Sequence, residues 1–144
     1  MLTAAAELPC VPNIIGVYCD EQTNLILMDF CEGQTLQDAI EKRALKPHEV
    51  HQVVAEISLE LSQLHSKKII HNDFKADNVI IHKIKDKFQV NIIDFGYSCF
   101  TGETPYPWLP RADILQFPHI DPRLAEGGTC SDRTDFYSYA SLYS

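Results

Sequence analysis

The pattern of apolar and polar positions along the chain predicts a mixture of helices and strands. Its clearest element is a helix from about Pro47 to Ser66, in which valine, isoleucine and leucine recur every three or four positions. That spacing forms one continuous apolar stripe, so we expect this helix to be part of the core. Proline is tolerated in a first helical turn, and Glu49 suits the positive end of the helix dipole.

Shorter apolar runs predict strands on both sides of this helix. Ile14–Cys19 and Leu25–Phe30 flank a polar segment, which is typical of antiparallel strands joined by a tight turn. After the helix, Val79–Ile81 and Phe88–Ile93 surround a lysine-rich turn and predict a second hairpin. Thr35 has an acidic residue three positions later, a spacing like that of a capping box, which predicts a short helix.

The C-terminal third of the chain begins with a segment, 97–130, that has no helical or strand periodicity. Long segments of this kind are usually functional or mobile, and we expect Trp108 either to anchor this one or to contact a substrate. The last apolar run, Phe136–Leu142, predicts a helix that is opened by Ser131 or Thr134. Its side chains Phe136, Tyr137, Tyr139 and Leu142 would form an exposed apolar face, which favours association or poor solubility of the isolated chain.

Composition and charge narrow the classes of function. The chain has 144 residues, 45% of them hydrophobic, which is sufficient for one domain with a core. Its net charge of −8 argues against a nucleic-acid interface, which would need a basic face. The five cysteines include no CxxC pair, so reduced thiols in an intracellular (cytoplasmic) protein are expected rather than a zinc site. No apolar run is long enough to cross a bilayer, and no basic, apolar leader begins the chain, so we expect neither a membrane span nor a signal peptide.

Polar residues at fixed spacing carry the candidate chemistry. Asp73 follows the long helix, Asn78 lies five positions later, and Asp94 ends an apolar strand. Phosphoryl transfer requires a group that orients a hydroxyl and ligands for the metal ions that neutralise phosphate charge. Asp73 could accept the hydroxyl proton, while Asn78 and Asp94 could bind metal. Lys75 could reach the transferring phosphate as a positive charge.

At these residues the chain resembles the eukaryotic protein kinases. The stretch His71–Asn78, HNDFKADN, is similar to their catalytic-loop pattern HRDLKxxN, and Asp94–Gly96 matches their DFG motif. The resemblance covers about residues 12–144. It implies an α+β, protein-kinase-like fold: a mostly helical large lobe with a remnant of the small-lobe antiparallel sheet and the hinge.

The resemblance divides the chain into parts of an incomplete kinase domain. It implies a small-lobe remnant over 1–28, a hinge over 29–34 and an incomplete large lobe over 35–144, with an activation segment at about 94–123. The implied cofactors are ATP and Mg²⁺, and the implied partner is a protein substrate. The oligomeric state stays open.

The resemblance also implies roles for individual residues in catalysis. Asp73 would orient the substrate hydroxyl, and Lys75, which is typical of the serine/threonine kinases, would stabilise the transferring phosphate. Asn78 and Asp94 would bind the metal and, through it, the nucleotide. Asp135 would bond to the backbone of the catalytic loop, which is a structural role.

The hinge residues would bind the nucleotide base. Met28 would be the gatekeeper, and the backbone of Asp29, Phe30 and Cys31 would hydrogen-bond to adenine. His71 is expected to be a buried packing and hydrogen-bonding residue. The remaining histidines have no ligand spacing and are expected to be surface or structural residues: His48, His51, His65, His82 and His119.

Departures from the family pattern bear on function. Asn72 replaces an arginine that pairs with a phosphorylated activation loop in many members, and a neutral amide cannot make that charge-assisted contact. Arg123 stands where the family has a glutamate in a buried ion pair. No glycine-rich loop and no strand lysine with its glutamate partner precede Pro12, and the helices expected after the central helix are missing too, so the chain resembles a kinase domain truncated at both ends.

Three functions are therefore open. The first is a serine/threonine protein kinase fragment, which transfers the ATP γ-phosphoryl group to a protein hydroxyl. The second is a catalytically inactive, pseudokinase-like interaction module, which the departures favour. The third is a small-molecule phosphotransferase of the aminoglycoside type, which has a similar loop and a later aspartate. The long segment after Asp94 argues against this third function.

Overall fold

A computed structural model describes residues 2–5, 7–107 and 109–142, so the expectation for Trp108 lies outside the described residues. The strands are β1 (Ile14–Cys19), β2 (Asn24–Met28), β3 (Gln34–Thr35), β4 (Ile69–Ile70), β5 (Val79–Ile84), β6 (Lys87–Ile92) and β7 (Cys99–Phe100). The helices are α1 (Leu2–Ala5), α2 (Leu36–Glu41), α3 (Pro47–Ser66), α4 (Arg111–Ile114), α5 (Pro122–Ala125) and α6 (Asp132–Ser141). A 3₁₀ turn covers Ala76–Asn78.

Helix α3 has the bounds that the apolar spacing predicts, and it packs against β6. Its first turn is closed by Glu49, whose carboxylate accepts a hydrogen bond from the Lys46 N–H at 2.8 Å. The buried apolar stripe consists of Val53, Ile57, Leu61 and Leu64. Burial of such side chains contributes roughly 1.5–3 kcal/mol each, so this stripe is a main source of stability in the larger core.

The second predicted hairpin is confirmed, and its first strand is longer than predicted. Strands β5 and β6 are antiparallel, with Val79 opposite Ile92, and β3 pairs with the other edge of β5. β5 continues to Ile84 because the turn is tight, with Lys85 in the left-handed region at φ 57°. Lys83 therefore lies in the strand, where its Nζ is 2.5 Å from Glu49 Oε1 of α3.

The first predicted hairpin is also confirmed, although β2 ends at Met28 rather than Phe30. β1 and β2 are antiparallel, with Ile14 opposite Met28. Most apolar side chains of this hairpin, on both faces, are more than half exposed: Ile15, Val17, Tyr18, Leu25, Ile26 and Leu27. The hairpin therefore contributes little apolar area to the core of the chain.

Both predicted helix starts are confirmed. The Thr35 hydroxyl accepts a hydrogen bond from the Asp38 N–H at 3.0 Å at the start of α2, and Ser131 is the N-cap of α6. The expectation of one exposed aromatic face on α6 is wrong in part. Tyr139 and Leu142 pack against the main core, because α6 lies against α3 and the Tyr139 hydroxyl donates to the Val54 carbonyl at 3.0 Å. Phe136 and Tyr137 are exposed, as expected.

The aperiodic segment 97–130 has a small apolar cluster of its own. β7 pairs with β4, and the short helices α4 and α5 follow. The buried side chains of this cluster are Ile70, Cys99, Tyr106, Ile114, Ile120, Leu124, Ala125 and Cys130. Among the residues that the structure describes, no helix has the length and apolar character needed to cross a membrane.

Candidate active site

The loop that carries Asp73 is fixed by Asp135 of α6. Asp135 is fully buried, and its carboxylate accepts hydrogen bonds from the backbone N–H of His71 at 2.8 Å and of Asn72 at 2.9 Å. His65 Nε2, on α3, lies 2.9 Å from the same carboxylate. The structural role expected of Asp135 is therefore confirmed. These bonds join α3, α6 and the candidate catalytic loop.

His71 connects this loop to the end of β6. Its Nε2 donates to the Ile93 carbonyl at 2.9 Å, and its Nδ1 accepts from the Asp73 N–H at 3.3 Å. The ring is fully buried, which confirms the packing and hydrogen-bonding role expected of it. The Ile93 N–H in turn donates to the Asn78 carbonyl at 3.0 Å. The residue before Asp94 is thus bonded to both ends of the loop.

The carboxylate of Asp73 is surrounded by polar groups. Asn78 Nδ2 donates to Asp73 Oδ2 at 3.1 Å and to the Asp73 carbonyl at 2.9 Å. Lys75 Nζ lies 3.7 Å from the same Oδ2. On the other side, His119 Nε2 donates to Oδ1 at 2.7 Å. The structure therefore brings together three of the residues singled out in the sequence, and adds His119.

These contacts keep Asp73 ionised. Burial, the strongest single influence, raises the pKa of the carboxyl, but the hydrogen bond from His119 and the positive charge of Lys75 lower it. The net effect is that the pKa of Asp73 lies below its ordinary value. At neutral pH the group is a carboxylate, which can accept a proton or a hydrogen bond but cannot donate one.

Asp94 lies in the turn after β6, with an exposed side chain. Its backbone is in the left-handed region at φ 62°, and its Oδ1 accepts a hydrogen bond from the Gly96 N–H at 3.2 Å. Its neighbour Ile93 is bonded to Asn78, so Asp94 and Asn78 lie at the same end of the β5–β6 hairpin.

The donor set of Asn78 and Asp94 fits a hard divalent cation. Because the Asn78 amide nitrogen donates to Asp73, the amide oxygen is the atom left for a cation, and Asp94 supplies a solvent-exposed carboxylate. Oxygen atoms of these kinds are the ligands that Mg²⁺ prefers. Within the described parts of the chain, no group of three or more His, Cys, Asp and Glu side chains could hold a metal ion. Any cation here would therefore keep water or phosphate ligands as well.

The expected hinge follows β2 directly. Met28 is 37% exposed and Phe30 is 88% exposed. The Asp29 N–H donates to the Asn13 carbonyl at 2.9 Å, and Asn13 Nδ2 donates to the Asp29 carboxylate at 2.8 Å. The N–H of Asp29 is thus already bonded within the protein. Hydrogen bonds to a base would come from the other backbone groups of residues 29–31.

His119 is the functional candidate that sequence reasoning missed. Its side chain is 13% exposed, and it reaches Asp73 from 46 positions away. The expectation of a surface or purely structural residue was based on the lack of metal-ligand spacing, which says nothing about a hydrogen bond to a carboxylate. Tyr106, from the same segment, donates from its hydroxyl to the Asn72 carbonyl. The segment 97–130 therefore folds over the candidate site.

The other histidines follow the expectation. His65 is buried, and its ring contacts the Asp135 carboxylate, so its position is structural. His48 and His51 are exposed, and His82 is half-buried near Glu32, with 3.6 Å between its Nε2 and the carboxylate.

The two departures from the kinase pattern have new local partners. The Asn72 amide nitrogen lies 3.2 Å from the Tyr97 carbonyl and 3.0 Å from Cys99 Sγ. Arg123 pairs with the buried carboxylate of Asp121, with 3.0 Å between Nε and Oδ1. This ion pair lowers the pKa of Asp121, mainly through the hydrogen bond from the guanidinium. Arg123 thus contacts a carboxylate two positions away at the start of α5.

The known proteins that are similar to this chain are protein kinases. The serine/threonine-protein kinase pkn2 of Myxococcus xanthus is 27% identical over 143 residues, which are 98% of this chain and 17% of that protein. The cAMP-dependent protein kinase type 3 of Saccharomyces cerevisiae is 27% identical over 93% of this chain and 32% of its own length. This chain therefore spans less than a third of the length of either relative.

A solved structure shows the same fold. The kinase PK-1 of the Cydia pomonella granulovirus superposes with a TM-score of 0.76 at 17% sequence identity, over 98% of this chain and 50% of that one. The α+β, protein-kinase-like architecture expected from the sequence is thereby confirmed. The family model for the protein kinase domain matches residues 2–143. The chain belongs to the protein kinase domain family.

Proposed function

We propose that this chain carries the catalytic-loop half of a serine/threonine protein kinase, which transfers the ATP γ-phosphoryl group to a protein hydroxyl. The observation that carries the proposal is the ionised Asp73 carboxylate, held by Asn78 and His119 with Lys75 Nζ at 3.7 Å. A fixed carboxylate beside a cation and an oxygen-rich metal position is the equipment that phosphoryl transfer requires. Most of the catalytic effect would come from positioning and charge stabilisation.

The residues of the loop divide the chemistry between them. Asp73 hydrogen-bonds to the substrate hydroxyl and accepts its proton as the hydroxyl oxygen bonds to the γ-phosphorus. The bond from that phosphorus to the β,γ-bridging oxygen breaks, and ADP leaves. Lys75 stabilises the charge on the transferring group. Asn78 and Asp94 would hold Mg²⁺, which when bound neutralises phosphate charge.

The remaining parts of the domain are assigned on the same basis. Residues 1–28 would be small-lobe sheet, 29–34 the hinge and 35–144 the large lobe, with an activation segment at about 94–123. Met28, Asp29, Phe30 and Cys31 would contact the adenine side of ATP. The strong exposure of the β1–β2 hairpin supports this assignment, because a small-lobe sheet is completed by further strands.

A pseudokinase-like module is the second candidate, and one observation favours it. Both carboxylate oxygens of Asp73 already bond within the protein, one to Asn78 and one to His119. A substrate hydroxyl would have to use the lone pairs that are left or displace His119. Without such an adjustment the chain would bind partners but would not transfer phosphate.

The deciding experiment measures phosphate transfer from labelled ATP with Mg²⁺ to a serine- and threonine-rich protein. The wild-type chain is compared with Asp73→Asn and with Asp77→Asn. The second variant is a matched control, because Asp77 is an exposed residue of the 3₁₀ turn that follows Asp73. Loss of a positioned acid–base group lowers turnover by about 10²–10⁴-fold, whereas the control should retain it. Equal rates for wild type and Asp73→Asn would refute the role of Asp73.

A second measurement separates the alternatives. ATP should raise the melting temperature with Mg²⁺ more than without it if Asn78 and Asp94 bind the metal, and Asp94→Asn should remove that difference. Metal-dependent stabilisation without turnover would identify the pseudokinase. Phosphorylation of an amino sugar in preference to protein would identify the small-molecule enzyme.

A further inference from the structure

Two cysteines near the two ends of the segment that covers the candidate site lie in contact with each other. Cys99 of β7 and Cys130, which precedes the N-cap of α6, are 31 positions apart, and their sulfur atoms lie 2.7 Å apart. Both side chains are buried, at 9% and 1% exposure. All five cysteines of the chain are free thiols in this structure. Neither residue has a part in the phosphoryl-transfer chemistry proposed above.

The backbone holds both cysteines in place. Cys99 pairs with Ile70 of β4 in an antiparallel ladder. The Cys130 N–H donates to the Glu103 carbonyl at 2.8 Å, and the Gly102 N–H donates to the Cys130 carbonyl at 2.9 Å. The contact between the thiols is therefore set by hydrogen-bonded main chain on both sides. Bringing the sulfur atoms to bonding distance needs a small side-chain adjustment rather than a rearrangement of the fold.

The polar surroundings distinguish the two thiols, and the Cys130 Sγ also donates to the Phe100 carbonyl at 3.2 Å. The hydrogen bond from Cys99 lowers the pKa of Cys130, and the Asn72 amide and nearby backbone N–H groups act in the same direction against the effect of burial. The pKa of Cys99 is raised, mainly because its thiol hydrogen-bonds to Cys130 and also because it is buried. The thiolate is the nucleophile in cysteine oxidation, so we expect Cys130 to react first.

We propose that Cys99 and Cys130 are a site of reversible disulfide formation. With hydrogen peroxide as the two-electron oxidant, the Cys130 sulfur attacks one peroxide oxygen, the O–O bond breaks, and a sulfenic acid and water result. The Cys99 sulfur then attacks the sulfenic sulfur, the S–S bond forms and a second water leaves. A small dithiol restores both thiols by exchange and becomes a disulfide itself. A small oxidant suits this pair because both sulfurs are buried.

The disulfide would tie the two ends of residues 100–129 together. That stretch carries Tyr106, which bonds to the Asn72 carbonyl, and His119, which bonds to Asp73. Closing such a loop covalently reduces the conformations open to it. The modification therefore restrains the segment that covers the candidate site. It depends only on the fold and not on phosphoryl transfer.

The test treats the reduced chain with hydrogen peroxide, quenches with an alkylating agent and maps the peptides without reduction. We expect a peptide linking Cys99 to Cys130, two hydrogens lighter than the dithiol, that disappears after reduction. The exposed Cys19 is the internal control and should be recovered in alkylated form. The linked peptide should form about tenfold faster in native buffer than in concentrated urea, because the fold holds the thiols in contact. Equal rates, or Cys99 and Cys130 recovered as thiols while Cys19 is oxidised, would overturn the proposal.

Hydrogen exchange tests the restraint separately, first in the unsubstituted chain and then in two variants. In the oxidised chain the amides of Gly102 and Cys130 should exchange more slowly than in the reduced chain, with no change in α3. The variants Cys99→Ser and Cys130→Ser should each lose the linked peptide and show no response to peroxide in this segment. A linked peptide with unchanged exchange would refute the restraint.

Discussion

Replacement of Asp135 by alanine should strongly destabilise the chain, because one buried carboxylate connects three parts of the fold. In the native structure it accepts the backbone N–H groups of His71 and Asn72 and contacts His65. A buried N–H without an acceptor costs about 1–3 kcal/mol, so two of them cost about 2–6 kcal/mol before the histidine is counted. Domains of this size are stable by only about 5–15 kcal/mol.

The assay is equilibrium unfolding in urea, followed by circular dichroism, with Asp132→Ala as the matched control. Asp132 is exposed and lies in the same first turn of α6, so the control reproduces the loss of negative charge at the helix N-terminus. That loss is worth about 0.3–1 kcal/mol. If Asp135→Ala destabilised the chain no more than Asp132→Ala does, the buried carboxylate would not be what holds the candidate catalytic loop.

Further predictions concern the backbone, the acid response and the exposed hairpin. Gly33→Ala should destabilise the chain in urea unfolding, because φ is 120° and a Cβ would lie 2.2 Å from a carbonyl oxygen of β5. Backbone strain alone costs about 1–3 kcal/mol, and the clash adds to it. The control Gly16→Ala, with open space around the added Cβ, should show little change. Since Arg123 lowers the pKa of Asp121 in the folded state, this pair stabilises the chain above the unfolded pKa of Asp121, and the effect disappears as the pH falls through the folded pKa. In pH-dependent unfolding, Arg123→Gln should therefore be less stable than wild type near neutral pH and should converge with it in acid; a constant difference would contradict the pair. Val17→Lys should reduce self-association measured by sedimentation and leave the melting temperature unchanged, because the side chain is 64% exposed; undiminished association would show that another surface is responsible.

Features that depend on local sequence could be predicted. The stripe of α3 and the apolar runs of the hairpins arise from neighbouring residues, and the structure reproduces their approximate positions. Asp73, Lys75 and Asn78 lie on one short loop, so their spacing alone was sufficient to place them together.

Features that depend on the path of the chain could not be predicted. His119 reaches Asp73 only because the proline-rich segment between them folds around its own apolar cluster, and that segment has no periodicity. The contact between Cys99 and Cys130 has the same origin. Lys83 falls in the lysine-rich turn that the sequence predicts, whereas in the structure it lies in β5 and pairs with Glu49 of α3.

The β1–β2 hairpin differs from the rest of the molecule in how it is secured. The main chain that precedes the hairpin is bonded to β6, where the Ile92 N–H donates to the Cys10 carbonyl, while most of the hairpin's own apolar side chains are exposed to solvent. Local opening of these two strands would therefore expose little additional apolar area and leave the packing around α3 intact. We therefore expect the hairpin to open before the packed body does, at a temperature that reports on its own strand pairing rather than on global stability.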